Sequence, residues 1–133
     1  MKKRILVVDD EESILDLIDR ALKSAYELEL VTNSEDAVKK LQESKYDILL
    51  TDIVMPQIDG LTLLKKAKEI DPFIQVIVMT GYSTVDTTLD CLKNGASEYI
   101  LKPFNVSFLR EVIDISAERY DRWMDAMKKT TEE

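Results

Sequence analysis

No histidine occurs anywhere in this chain of 133 residues. That excludes imidazole-based catalytic triads and zinc sites of the histidine kind. The single cysteine, Cys91, cannot close an internal disulfide, which fits a reducing compartment. It precedes Leu92 in a helix-like stretch and reads as a packed or half-exposed thiol. Three glycines could hardly build a phosphate-cradling loop, and neither GxxxxGK[ST] nor GxGxxG is present. Nucleotide-binding proteins of those types are thereby removed. No apolar run approaches the roughly eighteen residues that a membrane helix needs. Positive charge is also scarce: 18 Lys and Arg stand against 26 Asp and Glu, a net charge of −8. A nucleic-acid surface needs the opposite balance, because it contacts phosphates. The Met1-Lys2-Lys3-Arg4 start has the charge of a secretion signal, but only four apolar residues follow before two aspartates. The expected location is the cytoplasm, with neither membrane nor nucleic acid as a direct partner.

What is present is an ordinary soluble composition, 45% apolar and 33% charged, long enough for one domain with a full core. Its most informative feature is where apolar runs stop. Ile5-Leu6-Val7-Val8 stops at Asp9-Asp10, and Ile48-Leu49-Leu50 at Thr51-Asp52. Val76-Ile77-Val78-Met79 stops at Thr80-Gly81, and Tyr99-Ile100-Leu101 at Lys102-Pro103. Short continuous apolar runs of this kind mark strands of a parallel sheet covered on both faces.

Between them lie helical patterns. Ile14, Leu17-Ile18, Ala21-Leu22 and Ala25 predict a helix from about Glu12 to Ala25. A weaker strand at Leu28, Leu30 and Val31 follows, and Ser34 is the expected cap of the next helix, with Ala37-Val38 and Leu41 on its apolar side. Met55-Pro56-Gln57-Ile58-Asp59-Gly60 reads as a loop with turn chemistry at both ends. Leu61 to Ile70 reads as helix, and the next one carries Val85, Leu89 and Leu92 before an Asn94-Gly95 stop. Asn105 is the expected cap of the last helix. The expected fold is α/β: a flavodoxin-like, doubly wound (βα)5 parallel sheet of strand order 2-1-3-4-5.

In such sheets ligands bind beyond the carboxyl ends of the strands. Asp9, Asp10, Asp52, Thr80 and Lys102 therefore converge on one patch. Carboxylates about 4 Å apart repel by roughly 4 kcal/mol at an effective dielectric of 20, so the cluster must hold a proton or a cation. With no imidazole or thiolate to hand, a hard divalent ion is expected, and Mg²⁺ suits a site of few carboxylates best. A carboxylate beside Mg²⁺ and a lysine is also a competent nucleophile toward phosphorus.

Asp9-Asp10, Asp52 followed by Met55-Pro56 and Asp59-Gly60, Thr80-Gly81, and Lys102-Pro103-Phe104 together resemble the receiver domain of bacterial two-component response regulators. The resemblance covers about residues 3–120. It implies that Asp52 accepts a phosphoryl group from a histidine kinase or phosphotransfer protein. It also implies that Asp10 and Asp52 ligate Mg²⁺, with the backbone carbonyl of Val54 and a water held by Asp9. By the same resemblance Lys102 pairs with the phosphoryl group, the Lys102-Pro103 bond is cis, and Thr80 and Tyr99 form a switch pair. Gly81-Tyr82-Ser83-Thr84-Val85-Asp86 is similar to receivers attached to enhancer-binding transcription activators. Two rival chemistries remain on the residues alone. A phosphatase of the haloacid dehalogenase type needs a second Asp two positions after its nucleophile, where this chain has Val54. A flavodoxin-like flavin carrier needs a phosphate loop after the first strand, which is missing.

Residues 1–120 are expected to form the phosphoacceptor domain and 121–133 an extension of the last helix. From Asn105 to about Lys128 that helix would run roughly 36 Å. Tyr120, Trp123-Met124 and Met127 continue its apolar stripe, as expected either of a stripe folded back on the domain's own surface or of a projecting helix that leads into an output domain or pairs with a second copy, jointly with the face of the fourth helix and fifth strand.

Overall fold

The computed structural model describes residues 2–55 and 59–131. Five strands alternate with five helices. The strands are β1 (Arg4–Val8), β2 (Glu27–Val31), β3 (Ile48–Asp52), β4 (Gln75–Thr80) and β5 (Glu98–Leu101). The helices are α1 (Glu12–Leu22), α2 (Ser34–Glu43), α3 (Gly60–Ile70), α4 (Val85–Lys93) and α5 (Val106–Thr131). All strand pairs are parallel, in the order β2-β1-β3-β4-β5. The expected strand order is the one observed.

The strands read as unbroken apolar runs because alternate side chains enter two separate cores. Leu6, Val8, Leu49, Val76 and Val78 pack with α2, α3 and Cys91 on one face. Ile5, Val7, Ile48, Leu50, Ile77 and Met79 pack with α1 and α5 on the other. Register then sets the site. Val8 lies opposite Thr51, so one step further along both strands brings Asp9 level with Asp52.

Four local features differ from those expectations or add to them. Helix α1 stops at Leu22, and residues 23–25 form a turn closed by the Ala25 and Tyr26 amides on the Leu22 carbonyl. The cap of α2 is Asn33, whose side chain accepts from the Asp36 amide at 2.9 Å, while Ser34 is its buried first residue. In α4 the apolar trio faces outward: Val85, Leu89 and Leu92 are 75%, 44% and 67% exposed, and Cys91 fills the core instead. Gly95, at φ +97°, supplies the left-handed stop. The fourth change is length: α5 runs 26 residues from Val106 to Thr131, about 39 Å, with Asn105 accepting from the Phe108 amide. Of the loop before α3, residues 56–58 lie outside the described residues, as do 132–133 of the tail.

The extension of α5 is divided in its contacts. Arg119 reaches Gln75 and Glu98, Tyr120 is buried beneath the Lys45 ammonium, and Asp121 pairs with Lys3 at 2.8 Å. Trp123 leans on Phe73 with ring centroids 6.4 Å apart, yet it and Met127 keep about half their surface exposed.

Candidate functional site

The sheet's carboxyl edge holds a compact charged cluster. Asp9 follows β1 and is fully buried, whereas Asp10 beside it is exposed. Asp52 ends β3 and is nearly buried. One carboxylate oxygen from each of the three lies within 4.8 Å of the others. Lys102, just after β5, reaches into this group. Its Nζ donates to Asp9 Oδ2 at 2.7 Å and to Asp52 Oδ2 at 3.2 Å, and lies 3.9 Å from Glu11 Oε1. The other oxygens of Asp9 and Asp52 are also engaged: Asp9 Oδ1 accepts from the Glu11 amide at 2.9 Å, and Asp52 Oδ1 from the Val54 amide at 3.2 Å.

Burial and pairing pull against each other here. Burial raises the Asp9 carboxyl above its ordinary range, the Lys102 and Glu11 hydrogen bonds hold it down, and the neighbouring Asp52 adds to the rise. The net direction is upward. For Lys102 burial favours the neutral amine, but Asp9 and Asp52 outweigh it and raise the ammonium's pKa. Lys102 is thus a firmly charged cation held among carboxylates. The donor set around it is entirely oxygen, partly buried and partly open through Asp10. This fits a hard divalent cation, and such a cation would relieve the repulsion among the three acids.

Backbone geometry fixes these positions. The Lys102 amide donates to the Thr80 carbonyl at 2.8 Å, tying the β5 and β4 ends together, and the Lys102-Pro103 bond is cis as expected. Gly60 begins α3 where a Cβ would come within 2.4 Å of the Asp52 carbonyl oxygen and 2.5 Å of Ile53 Cα. No other residue type fits so close to the β3 end. Asp59 caps the same helix by accepting from the Thr62 amide at 2.8 Å.

Thr80 and Tyr99 sit apart from the carboxylates in their bonding. The buried Thr80 hydroxyl donates to the Tyr82 carbonyl at 2.7 Å and accepts from the Tyr82 amide at 3.0 Å. Tyr99 donates to the Ser83 hydroxyl at 3.0 Å, and Ser83 lies 3.2 Å from the Thr88 hydroxyl. Sequence reasoning singled out neither Ser83 nor Glu11. Glu11 extends the acidic run of Asp9-Asp10 and was open to notice. Ser83 was named only within the 81–86 run, because its hydrogen bonding depends on how the β4–α4 loop turns.

The model for the response regulator receiver domain matches residues 5–114. The transcriptional regulatory protein ZraR of Klebsiella oxytoca is 39% identical over 107 residues, which cover 80% of this chain and 24% of that protein. The DNA-binding transcriptional regulator NtrC of Proteus hauseri is 35% identical over 120 residues, covering 90% of this chain and 25% of its own length. The chain thus spans about a quarter of the length of these curated relatives. Among solved structures, a CheY-like response regulator receiver domain protein from Methanospirillum hungatei superposes with a TM-score of 0.89 at 32% identity, over 92% of this chain and 98% of that one. Among the described residues no helix is long and apolar enough to cross a membrane. With the site's residues at the ends of β1, β3, β4 and β5, and a family model spanning all five strands but the first residue of β1, the chain belongs to the response regulator receiver domain family.

Proposed function

We propose that Asp52 is the phosphoacceptor of a cytoplasmic two-component relay, charged by the phosphohistidine of a sensor kinase or phosphotransfer protein. An Asp52 carboxylate oxygen attacks phosphorus, the bond from phosphorus to the donor nitrogen breaks, and an aspartyl phosphate results. Mg²⁺ would be held by Asp10, Asp52 and the Val54 carbonyl, with Asp9 holding a bound water. When bound it supplies charge neutralisation at the phosphoryl oxygens. Lys102 moves its ammonium from the Asp52 carboxylate to the phosphoryl group while keeping Asp9. The observation that carries this reading is the Lys102 clamp on Asp9 and Asp52, 2.7 and 3.2 Å, inside a cluster of three carboxylates.

The signal leaves through Thr80 and Tyr99. A phosphoryl oxygen offers the Thr80 hydroxyl an acceptor in place of the Tyr82 carbonyl, and Tyr99 follows into the vacated space. The face built from α4, β5 and the start of α5 is the reader. Its exposed Val85, Leu92, Leu101 and Phe108 support that assignment. A homodimer through this face and the α5 extension couples the receiver to an output, which the relatives' names suggest is transcriptional. Residues 121–133 are the coupling segment. Acetyl phosphate with Mg²⁺ should add one phosphoryl group to the chain by intact mass, and Asp52→Asn or a chelator should abolish it. Undiminished modification of Asp52→Asn would sink the assignment.

A further inference from the structure

Beside the amino ends of β3 and β4, on the sheet edge opposite the carboxylates, lies a cleft of about 430 Å³. Leu41 of α2, Ala67 and Ile70 of α3, and Phe73 give it apolar walls, and Met124 of the α5 extension forms one side. A cleft of this size seats one or two apolar side chains. Its rim is acidic. Glu43 ends α2 and Asp71 follows α3, so the C-termini of both helices border the cleft and add their partial negative charge. The lysines in those last turns are committed elsewhere, Lys40 to Glu29 at 3.0 Å and Lys68 to the Pro72 and Ile74 carbonyls. Among the described residues Lys45 is the only cation of the lining, and its ammonium sits over the Tyr120 ring.

The end of α5 is the complement of this surface. Trp123 and Met127 are about half exposed, and Lys128 and Lys129 stand in the last turn. Met124, Met127 and Lys128 fall at i, i+3 and i+4, so one helix face presents apolar side chains and then positive charge. Met124 lines the chain's own cleft, whereas Met127, one turn further on, does not. A continuous helix cannot turn back to insert it. A second copy related by two-fold symmetry can. We propose that the cleft receives the α5 tail of a second copy of this chain, reciprocally, with Met127 between the apolar walls and Lys128 and Lys129 against Glu43 and Asp71. The proposal rests on the α5 extension taking part in a homodimer, and it names the surface that receives it.

The test is a charge exchange on the full chain, read by sedimentation. Glu43→Lys puts positive charge on the rim, and Lys128→Glu with Lys129→Glu puts negative charge on the tail. Each variant alone should dimerise roughly ten-fold more weakly than the parent, because both clefts of a dimer lose a contact on the scale of an exposed ion pair. An equimolar mixture of the two should recover the parent's association, since each tail then meets a charge of opposite sign at position 43. Glu35→Lys, the same charge change at the other end of α2, should give no recovery when it replaces Glu43→Lys in the mixture. Trp123 is the only tryptophan and leans on Phe73 of the cleft, so its emission should shift to the blue as the parent dimerises. A mixture that stays weak, equal recovery with Glu35→Lys, or constant emission through dimerisation would overturn the cleft as the acceptor. A parent chain that stays monomeric even when phosphorylated would overturn the homodimer reading as well.

Discussion

Asp9 is a fully buried carboxylate whose upward pKa shift states its thermodynamic role. A carboxyl raised in the folded state costs stability once ionised, and that cost is present above its folded pKa and gone below the unfolded value near 3.8. Asp9→Asn should therefore raise the melting temperature of the metal-free chain at pH 7 by a few degrees, provided Lys102 keeps Asp52. The gain should shrink as the pH is lowered toward 4. Thermal scans at both pH values check it, and a variant that melts lower than the parent at pH 7 would contradict the sign. The same change should weaken binding of Mg²⁺ in calorimetry, because it removes one anion of the cluster. At this scale the sequence was legible wherever a residue's position follows from strand ends: Asp9, Asp52 and Lys102 meet because β1, β3 and β5 end together. It was silent on the partner that each hydroxyl chooses.

Among the elements, the β4–α4 connection and α4 carry the conformational argument. Tyr99 is held by Ser83, Ser83 reaches Thr88, and Thr84 with Thr87 closes a capping box at the start of α4. This chain of hydroxyls ties Tyr99 to α4. Ser83→Ala removes its middle link at a cost of about 1 kcal/mol of hydrogen bonding. The expected result is that amide shifts of residues 83–101 in the unphosphorylated variant move part of the way toward the phosphorylated parent. Shifts identical to those of the unphosphorylated parent would show that the link carries no bias. The orientation of α4 was not legible in the sequence. Val85, Leu89 and Leu92 have the spacing of a core-facing stripe, and the same spacing serves a face left open for a partner. Cys91, read as a packed or half-exposed thiol, is the residue that fills the core. The cap of α2 likewise moved by one position, since Asn33 and Ser34 are both competent caps and only the extended backbone at Asn33 decides between them.

For the molecule as a whole, the two cores and the parallel order followed from apolar runs alone, whereas the fate of the α5 stripe did not. Tyr120 and Arg119 belong to the body of the domain, whereas Trp123 rests on Phe73 half exposed and Met127 is half exposed beyond it. A cut after Asp121 keeps the Lys3 pair and the Tyr120 packing while removing the exposed part of the stripe. Sedimentation should show the full chain dimerising more tightly once phosphorylated and the shortened chain remaining monomeric. Equal association of the two would assign the interface to the α4–β5 face alone. Reductive trapping shows which aspartate carries the phosphoryl group. Borohydride converts an aspartyl phosphate to homoserine, which peptide mass spectrometry locates. After treatment with acetyl phosphate and Mg²⁺, homoserine is predicted at position 52; its appearance at position 9 or 10, or nowhere in a chain that has gained a phosphoryl group, would remove Asp52 as the phosphoacceptor.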